Sequence, residues 1–203
     1  MKTLGLTGGI GTGKTTVCAM FRRLGALTLS SDSIVHEELK NNEALKKKIT
    51  SFFGTDVLGR GGIDRRLLAK KAFNDPRCLA SLNRAVHPVV KKNILAWMAR
   101  NSKKNKGKDF VCVVEVPLLF ETGFNGLFDV TAVVAAAPAI QKKRVLRTGK
   151  LSSGDLERRA RFQWPLDKKI AACDFVIDNN GTRKKTFNQV KRVMEVLLWK
   201  SSK

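Results

Sequence analysis

The residues of this chain best suited to chemistry stand near its amino end, in Gly8-Gly9-Ile10-Gly11-Thr12-Gly13-Lys14-Thr15, which fits the pattern G-x-x-x-x-G-K-[ST] in full. Binding a phosphate chain calls for these residue types at this spacing. Gly9, Gly11 and Gly13, with Thr12 between them, let the backbone turn so that successive N–H groups face one anion. A helix opening at Lys14 adds the positive end of its dipole. The Lys14 ammonium then reaches the β- and γ-phosphates of ATP, and the Thr15 hydroxyl ligates Mg2+. Thr16, the next residue, belongs to the same set of ATP-binding positions.

Such a loop serves several classes of protein, and the surrounding motifs choose between them. Asp56-Val57-Leu58-Gly59 fits the D-x-x-G of GTPases but follows a helical stretch, and Asn105-Lys106-Gly107-Lys108-Asp109 is one residue too long for N-K-x-D. Both read as chance matches. The short gap from the loop to Asp32, an acid placed right after a second strand, suits a small-molecule kinase. Asp32 there either accepts the proton of an attacking hydroxyl or helps hold magnesium; the plain alternative is a helix cap. Glu115 ends a central strand beside the loop, where its carboxylate can bond magnesium-bound water or the substrate, or cap the strand end.

These groups need a frame that brings the ends of several strands together. Apolar runs predict buried strands over residues 2–6, 26–29, 110–114, 130–135 and 175–177. Helical periodicity covers 14–24, closed by Gly25, then 33–39 with Ser31 or Ser33 as cap. Between residues 41 and 106 there is almost no strand signal. Helices are expected over 44–53, 64–73 and 76–100, the last broken at Pro88. Further helices fall over 138–147, 151–162 and 182–199. Strands alternating with helices imply an α/β fold with a doubly wound parallel sheet of five strands.

The chain has 203 residues, 43% of them hydrophobic, enough for one α/β domain with an inserted subdomain. Lys plus Arg number 39 against 17 Asp plus Glu, a net charge of +22 that favours polyanionic partners or simply marks a solvated basic surface. Cys18, Cys78, Cys112 and Cys173 form no C-x-x-C pair and read as reduced, mostly buried thiols. Trp97, Trp164 and Trp199 read as packing residues rather than base-stacking platforms. No segment has the apolar length of a membrane helix or the layout of a signal peptide, so a cytoplasmic protein without a membrane partner is expected.

Taken in order along the chain, the motifs resemble those of the dephospho-coenzyme A kinase family. The residues that carry the resemblance are the 6–15 segment, Asp32, Phe53-Gly54, Phe73-Asn74-Asp75-Pro76, His87-Pro88, Glu115-Val116-Pro117-Leu118-Leu119-Phe120-Glu121, Arg159 with Gln163, and Ile177-Asp178-Asn179-Asn180-Gly181. The resemblance implies a P-loop NTPase-type fold and ATP-dependent phosphorylation of the ribose 3′-hydroxyl of dephospho-CoA, giving CoA and ADP in the last step of CoA synthesis. It also implies a nucleotide-binding core over residues 1–34 and 107–203, a helical CoA-binding insertion over 35–106 and a helical lid over about 143–165.

By the same resemblance Lys14, Asp32 and Arg144 are the catalytic set, and Arg144 and Arg147 fall where the family places lid arginines, the second with its spacing off by one. A guanidinium there neutralises charge on the transferring phosphoryl group; the alternative is two arginines on a solvated helix. Asn179 stands where related kinases touch adenine. His87 matches a CoA-side residue, or is a structural hydrogen-bonded histidine held extended by Pro88. Asp32, His87, Glu115, Pro117 and Leu118 form the expected substrate side, with Pro117 and Leu118 in its wall. Ser30 replaces the first acid of the family's Asp-x-Asp, so Asp32 bears the carboxylate chemistry alone. Expected partners are ATP and dephospho-CoA, nucleic acid only by nonspecific charge attraction, and a monomer or weak homo-oligomer. Two other readings stay open: a different small-molecule kinase of this fold, such as a nucleoside or nucleotide kinase, and a nucleic-acid-binding ATPase, for which no recognisable binding motif is present.

Overall fold

The computed structural model describes residues 1–147, 149 and 153–199. In chain order the elements are β1 (Lys2–Gly8), α1 (Lys14–Arg23), β2 (Leu27–Ser30), α2 (Ser31–Asn41), α3 (Glu43–Phe53), β3 (Leu58–Gly59), β4 (Gly62–Ile63), α4 (Arg65–Asn74) and α5 (Pro76–Lys104). They continue as β5 (Val111–Glu115), β6 (Val130–Ala135), α6 (Pro138–Arg147), α7 (Ser153–Ala160), α8 (Leu166–Ala171), β7 (Phe175–Asp178) and α9 (Arg183–Trp199). The chain divides into two compact units, one of residues Met1–Ser30 with Trp97–Lys203, the other of Ser31–Ala96. Among the described residues no helix is long and apolar enough to cross a membrane.

The first unit is built on a five-stranded sheet of order β2-β5-β1-β6-β7, every pairing parallel. β1 is buried from Thr3 onward and β5 over its whole length, as strands covered on both faces must be. Leu4, Leu6, Val111, Val113, Ala132 and Val134 meet Val17, Met20 and Phe21 of α1 and Val190 and Met194 of α9 in one core. Each large apolar side chain sealed there contributes roughly 1.5–3 kcal/mol. α1 ends in a Schellman turn: Gly25 has φ 91°, its N–H bonds the Arg22 carbonyl and the Ala26 N–H bonds that of Phe21.

Two acids set the register of the sheet by one device. Asp129, just before β6, accepts from the N–H and hydroxyl of Thr3 on β1, both at 2.8 Å. Asp174, just before β7, accepts from the N–H and hydroxyl of Thr131 on β6, at 2.7 and 2.9 Å. Each strand thus hooks its start onto the start of its neighbour. Cys18 and Cys112 are buried thiols whose pKa is pushed up to about 11, in both chiefly by burial, so both stay protonated at neutral pH. Cys78 and Cys173 are partly exposed.

The second unit is helical, with Leu45, Ile49 and Phe53 of α3, Leu68 and Ala72 of α4, and Val86, Val90 and Ile94 of α5 buried. Asn42 caps α3 by accepting from the Leu45 N–H, and Asp64 caps α4 by accepting from Arg66 and Leu67. Three expectations are corrected here. A small antiparallel hairpin, β3 with β4, lies within the 41–106 stretch read as almost without strand. α2 starts at Ser31, so Ser31 and Asp32 lie within the helix, and Ser33 is no cap. α5 runs unbroken through Pro88, and His87 is helical rather than extended. The reason is burial: Val86, Val90 and Ile94 form an i, i+4 row that spans the proline. Pro88 and Arg84 are both exposed, so water can satisfy the Arg84 carbonyl that the missing N–H leaves open.

In the first unit, α8 was absent from the sequence expectation. The expected 151–162 helix is observed as α7, with residues 151 and 152 outside the described set. Trp164 does pack, stacked on Phe120, and Trp97 is half-buried. Trp199 is 69% exposed, because it falls on the outer face of the last turn of α9.

Candidate active site

The loop between β1 and α1 lies at the carboxyl edge of the parallel sheet, the edge at which α/β folds bind ligands. Gly13 is the N-cap of α1, with φ 94°, and no side chain caps the helix. No side chain thus competes for the first N–H groups of α1, the donors that an anion site uses. The loop closes on itself through the Thr12 hydroxyl, which donates to the Gly9 carbonyl at 2.9 Å. Lys14 folds back over it, and its ammonium donates to the carbonyls of Gly8 and Gly9 at 3.1 and 3.0 Å. α6 lies against Gly9 and Gly11 through Gln141.

The Thr15 hydroxyl, on an exposed residue, donates to Oε1 of Glu115 at 3.0 Å. Glu115 is buried at the end of β5, where its register partners are Leu6 of β1 and Ser30 of β2. Arg144, in the last turn of α6, donates through Nη1 to the Thr12 carbonyl at 3.2 Å and through Nη2 to the Asn179 carbonyl at 2.8 Å. Asn179, just past β7, is buried and donates from Nδ2 to the Thr12 carbonyl at 2.7 Å. A cavity of about 410 Å³ beside Thr16 is lined further by Met20, Arg23, Arg183 and Phe187.

The first unit thus gathers Gly9, Gly11, Thr12, Gly13, Lys14, Thr15, Glu115, Arg144 and Asn179 around one loop, with Thr16 at the adjoining cavity. Arg147 is exposed in the last turn of α6. Asp32 and His87 belong to the second unit: Asp32 is exposed in the first turn of α2, two residues after Ser30, and His87 is half-buried in α5. Burial holds the His87 imidazole below its ordinary pKa, so it is neutral at pH 7.

Pro117 and Leu118 follow β5, and their backbone is tied down. The Pro117 carbonyl accepts from the Thr7 hydroxyl at 3.1 Å and from the Lys169 ammonium at 3.0 Å. The Leu118 carbonyl accepts from the Thr122 hydroxyl at 2.7 Å. Lys169 of α8 is fully buried and pairs with Oε1 of Glu121 at 2.8 Å; the same oxygen accepts from the backbone N–H of Trp164 at 2.7 Å. The Trp164 ring stacks on Phe120 with centroids 5.9 Å apart, and the Lys168 ammonium lies 3.8 Å from its centroid. This buried cation escaped the sequence reading, being one of 39 basic residues with nothing local to mark it; the only hint was Glu121 at the end of the Val-Pro-Leu-Leu-Phe-Glu run.

Replacing Lys169 with Ala leaves the Glu121 carboxylate buried without its cation, and its Oε2 already has no hydrogen-bond partner among the described residues. The expected cost is about 3–5 kcal/mol, read as a lower urea midpoint at unchanged slope. The Lys169→Met, Glu121→Leu pair should recover most of it. Recovery by neither the pair nor high salt would show that packing, not charge, is what Lys169 supplies.

A family model for dephospho-CoA kinase matches residues 2–185. The dephospho-CoA kinase of Aquifex aeolicus is 37% identical over 198 residues, covering 97% of this chain and 98% of the relative. The solved dephospho-CoA kinase of Campylobacter jejuni superposes with a TM-score of 0.70 at 28% identity, covering 98% of each chain. A solved Thermus thermophilus protein superposes with a TM-score of 0.81 at 29% identity, covering 96% of each. With a phosphate-binding loop, a facing Thr15–Glu115 pair and a match running almost end to end, the chain belongs to the dephospho-CoA kinase family.

Proposed function

We propose that the chain transfers the γ-phosphoryl group of ATP to the ribose 3′-hydroxyl of dephospho-CoA by direct in-line displacement. The observation that carries this is the arrangement of the loop: a helix N-terminus without a side-chain cap, the Lys14 ammonium resting on the loop's own carbonyls, and the Thr15 hydroxyl turned to Glu115. A triphosphate offers oxygens to the amides and to Lys14, which exchanges the Gly8 and Gly9 carbonyls for them. The cavity beside Thr16 adds basic and apolar side chains next to the phosphate loop.

Phosphoryl transfer asks for positioning and charge neutralisation more than covalent help. Arg144 uses two of its five N–H donors on the Thr12 and Asn179 carbonyls, and others remain to face phosphate oxygens. Asp32 takes the proton of the 3′-hydroxyl as its oxygen bonds to the γ-phosphorus and the bond to the β–γ bridging oxygen breaks, releasing ADP. Pro117 and Leu118, with His87 from the helical unit, serve the dephospho-CoA side.

The residues present suit magnesium. Thr15 and Glu115 bring a hydroxyl and a carboxylate to within 3.0 Å of each other, hard oxygen donors of the kind that hold this ion together with substrate phosphates. When bound, it neutralises charge on the β- and γ-phosphates.

The test is conversion of dephospho-CoA and ATP to CoA and ADP by the purified protein, followed by separation of the two thiols. Dephospho-CoA should exceed nucleosides and nucleotides as acceptor by orders of magnitude, and RNA should not stimulate ATP hydrolysis. Comparable turnover with a nucleoside acceptor would overturn the assignment of substrate.

A further inference from the structure

The Thr12 carbonyl is held by two donors from distant parts of the chain, Asn179 Nδ2 at 2.7 Å and Arg144 Nη1 at 3.2 Å. That carbonyl shares a peptide plane with the Gly13 N–H. The described residues contain no cis peptide bond, and in a trans peptide the C=O and N–H point in opposite directions. Whatever fixes the Thr12 carbonyl therefore aims the Gly13 N–H, one of the amides of the phosphate loop.

Asn179 is itself fixed on every side. Its Oδ1 accepts from the Thr186 hydroxyl at 3.0 Å, which determines which end of the amide faces Thr12. Its N–H donates to the Ala135 carbonyl at 2.8 Å, and its own carbonyl accepts from Arg144 Nη2 at 2.8 Å. Asn179 is 7% exposed and Thr186 is fully buried. A side chain at position 13 would strike the Asn179 amide nitrogen, so the last glycine of the loop leaves room for this approach. A side-chain amide so enclosed has no face left for a nucleotide base.

We propose that Asn179 is a positioning residue, oriented by Thr186, that acts on the nucleotide through the Thr12–Gly13 peptide and not through the base. It pre-orients the Gly13 amide toward the phosphates, and with Arg144 it ties the phosphate loop to the ends of β7 and α6. This rests on the kinase reading above and replaces the expectation that Asn179 touches adenine.

The experiment measures binding of ATP and of inorganic tripolyphosphate by calorimetry, KM for each substrate, and melting without ligand, for Asn179→Ala, Thr186→Val and both together. Asn179→Ala should weaken ATP and tripolyphosphate by the same factor, about tenfold for one lost orienting hydrogen bond. KM for dephospho-CoA should stay put. Thr186→Val should shift both phosphate ligands in the same direction by less, and the double variant should be no worse than Asn179→Ala, since the hydroxyl acts through the amide. A loss confined to ATP, with tripolyphosphate unaffected, would restore the base contact and overturn the proposal. So would a lowered melting temperature with unchanged affinity for both ligands, which marks a purely structural role. Should Asn179→Ala not fold, Thr186→Val decides by the same comparison. Failure of the unaltered protein to bind either ligand would remove the kinase reading as well, so the two failures are distinguishable.

Discussion

Lys14→Ala should turn over at least a hundredfold more slowly than the unaltered enzyme, a loss of ~3 kcal/mol or more in transition-state stabilisation. Lys14 is the cation of the loop. Its hydrogen bonds to the Gly8 and Gly9 carbonyls are local, six and five residues apart, and the residue is half-buried. Losing local bonds of this kind costs little stability, so the fall in kcat should far exceed any change in melting temperature. The loop's amides and the end of α1 remain, so the variant still binds nucleotide. That combination separates charge on the transferring phosphoryl from simple affinity. Lys14→Arg keeps the charge but replaces a compact ammonium with a planar fork, and should recover only part of the rate. Near-normal kcat in Lys14→Ala would mean that the loop does not cradle the reacting phosphates.

Much of this site was legible because its signals are local. Residues 8–15 carry their chemistry in eight consecutive positions, and β5 and β6 announce themselves as unbroken apolar runs. The hidden parts depend on partners far along the chain. Asn179 reaches Thr12 across 167 positions, and the Asp129 hook reaches Thr3 across 126. No periodicity records such pairs. Asn179 was marked by its place after a strand, yet only the Thr12, Arg144 and Thr186 contacts turn it from a base reader into a brace. Pro88 misled for a different reason. Local rules weigh its missing N–H, whereas burial of Val86, Val90 and Ile94 along one row of α5 outweighs that loss. Lys169 shows the limit of composition. A cation in a chain of net charge +22 reads as surface, and only the Glu121 carboxylate and Pro117 carbonyl explain one that is fully buried.

Asp32→Asn should lose turnover on the order of a thousandfold, the scale of a missing general base, while ATP affinity is retained. Asparagine is the informative replacement because it preserves everything else an acid in the first turn of α2 can do. It has the same shape, and in the first turn of α2 it differs from aspartate chiefly in its charge. What it loses in favourable interaction with the helix dipole is only about 0.3–1 kcal/mol on an exposed side chain. Stability should therefore hold, and any collapse in kcat belongs to the carboxylate. Ser30, which stands in place of the first acid of the family's Asp-x-Asp, does not substitute for it, since a hydroxyl is no base at neutral pH. The thousandfold loss should appear in kcat with KM for ATP unchanged, measured as CoA formed at saturating nucleotide. If Asp32→Asn turns over normally, the residue merely starts a helix, and the proton of the ribose hydroxyl must leave by another route.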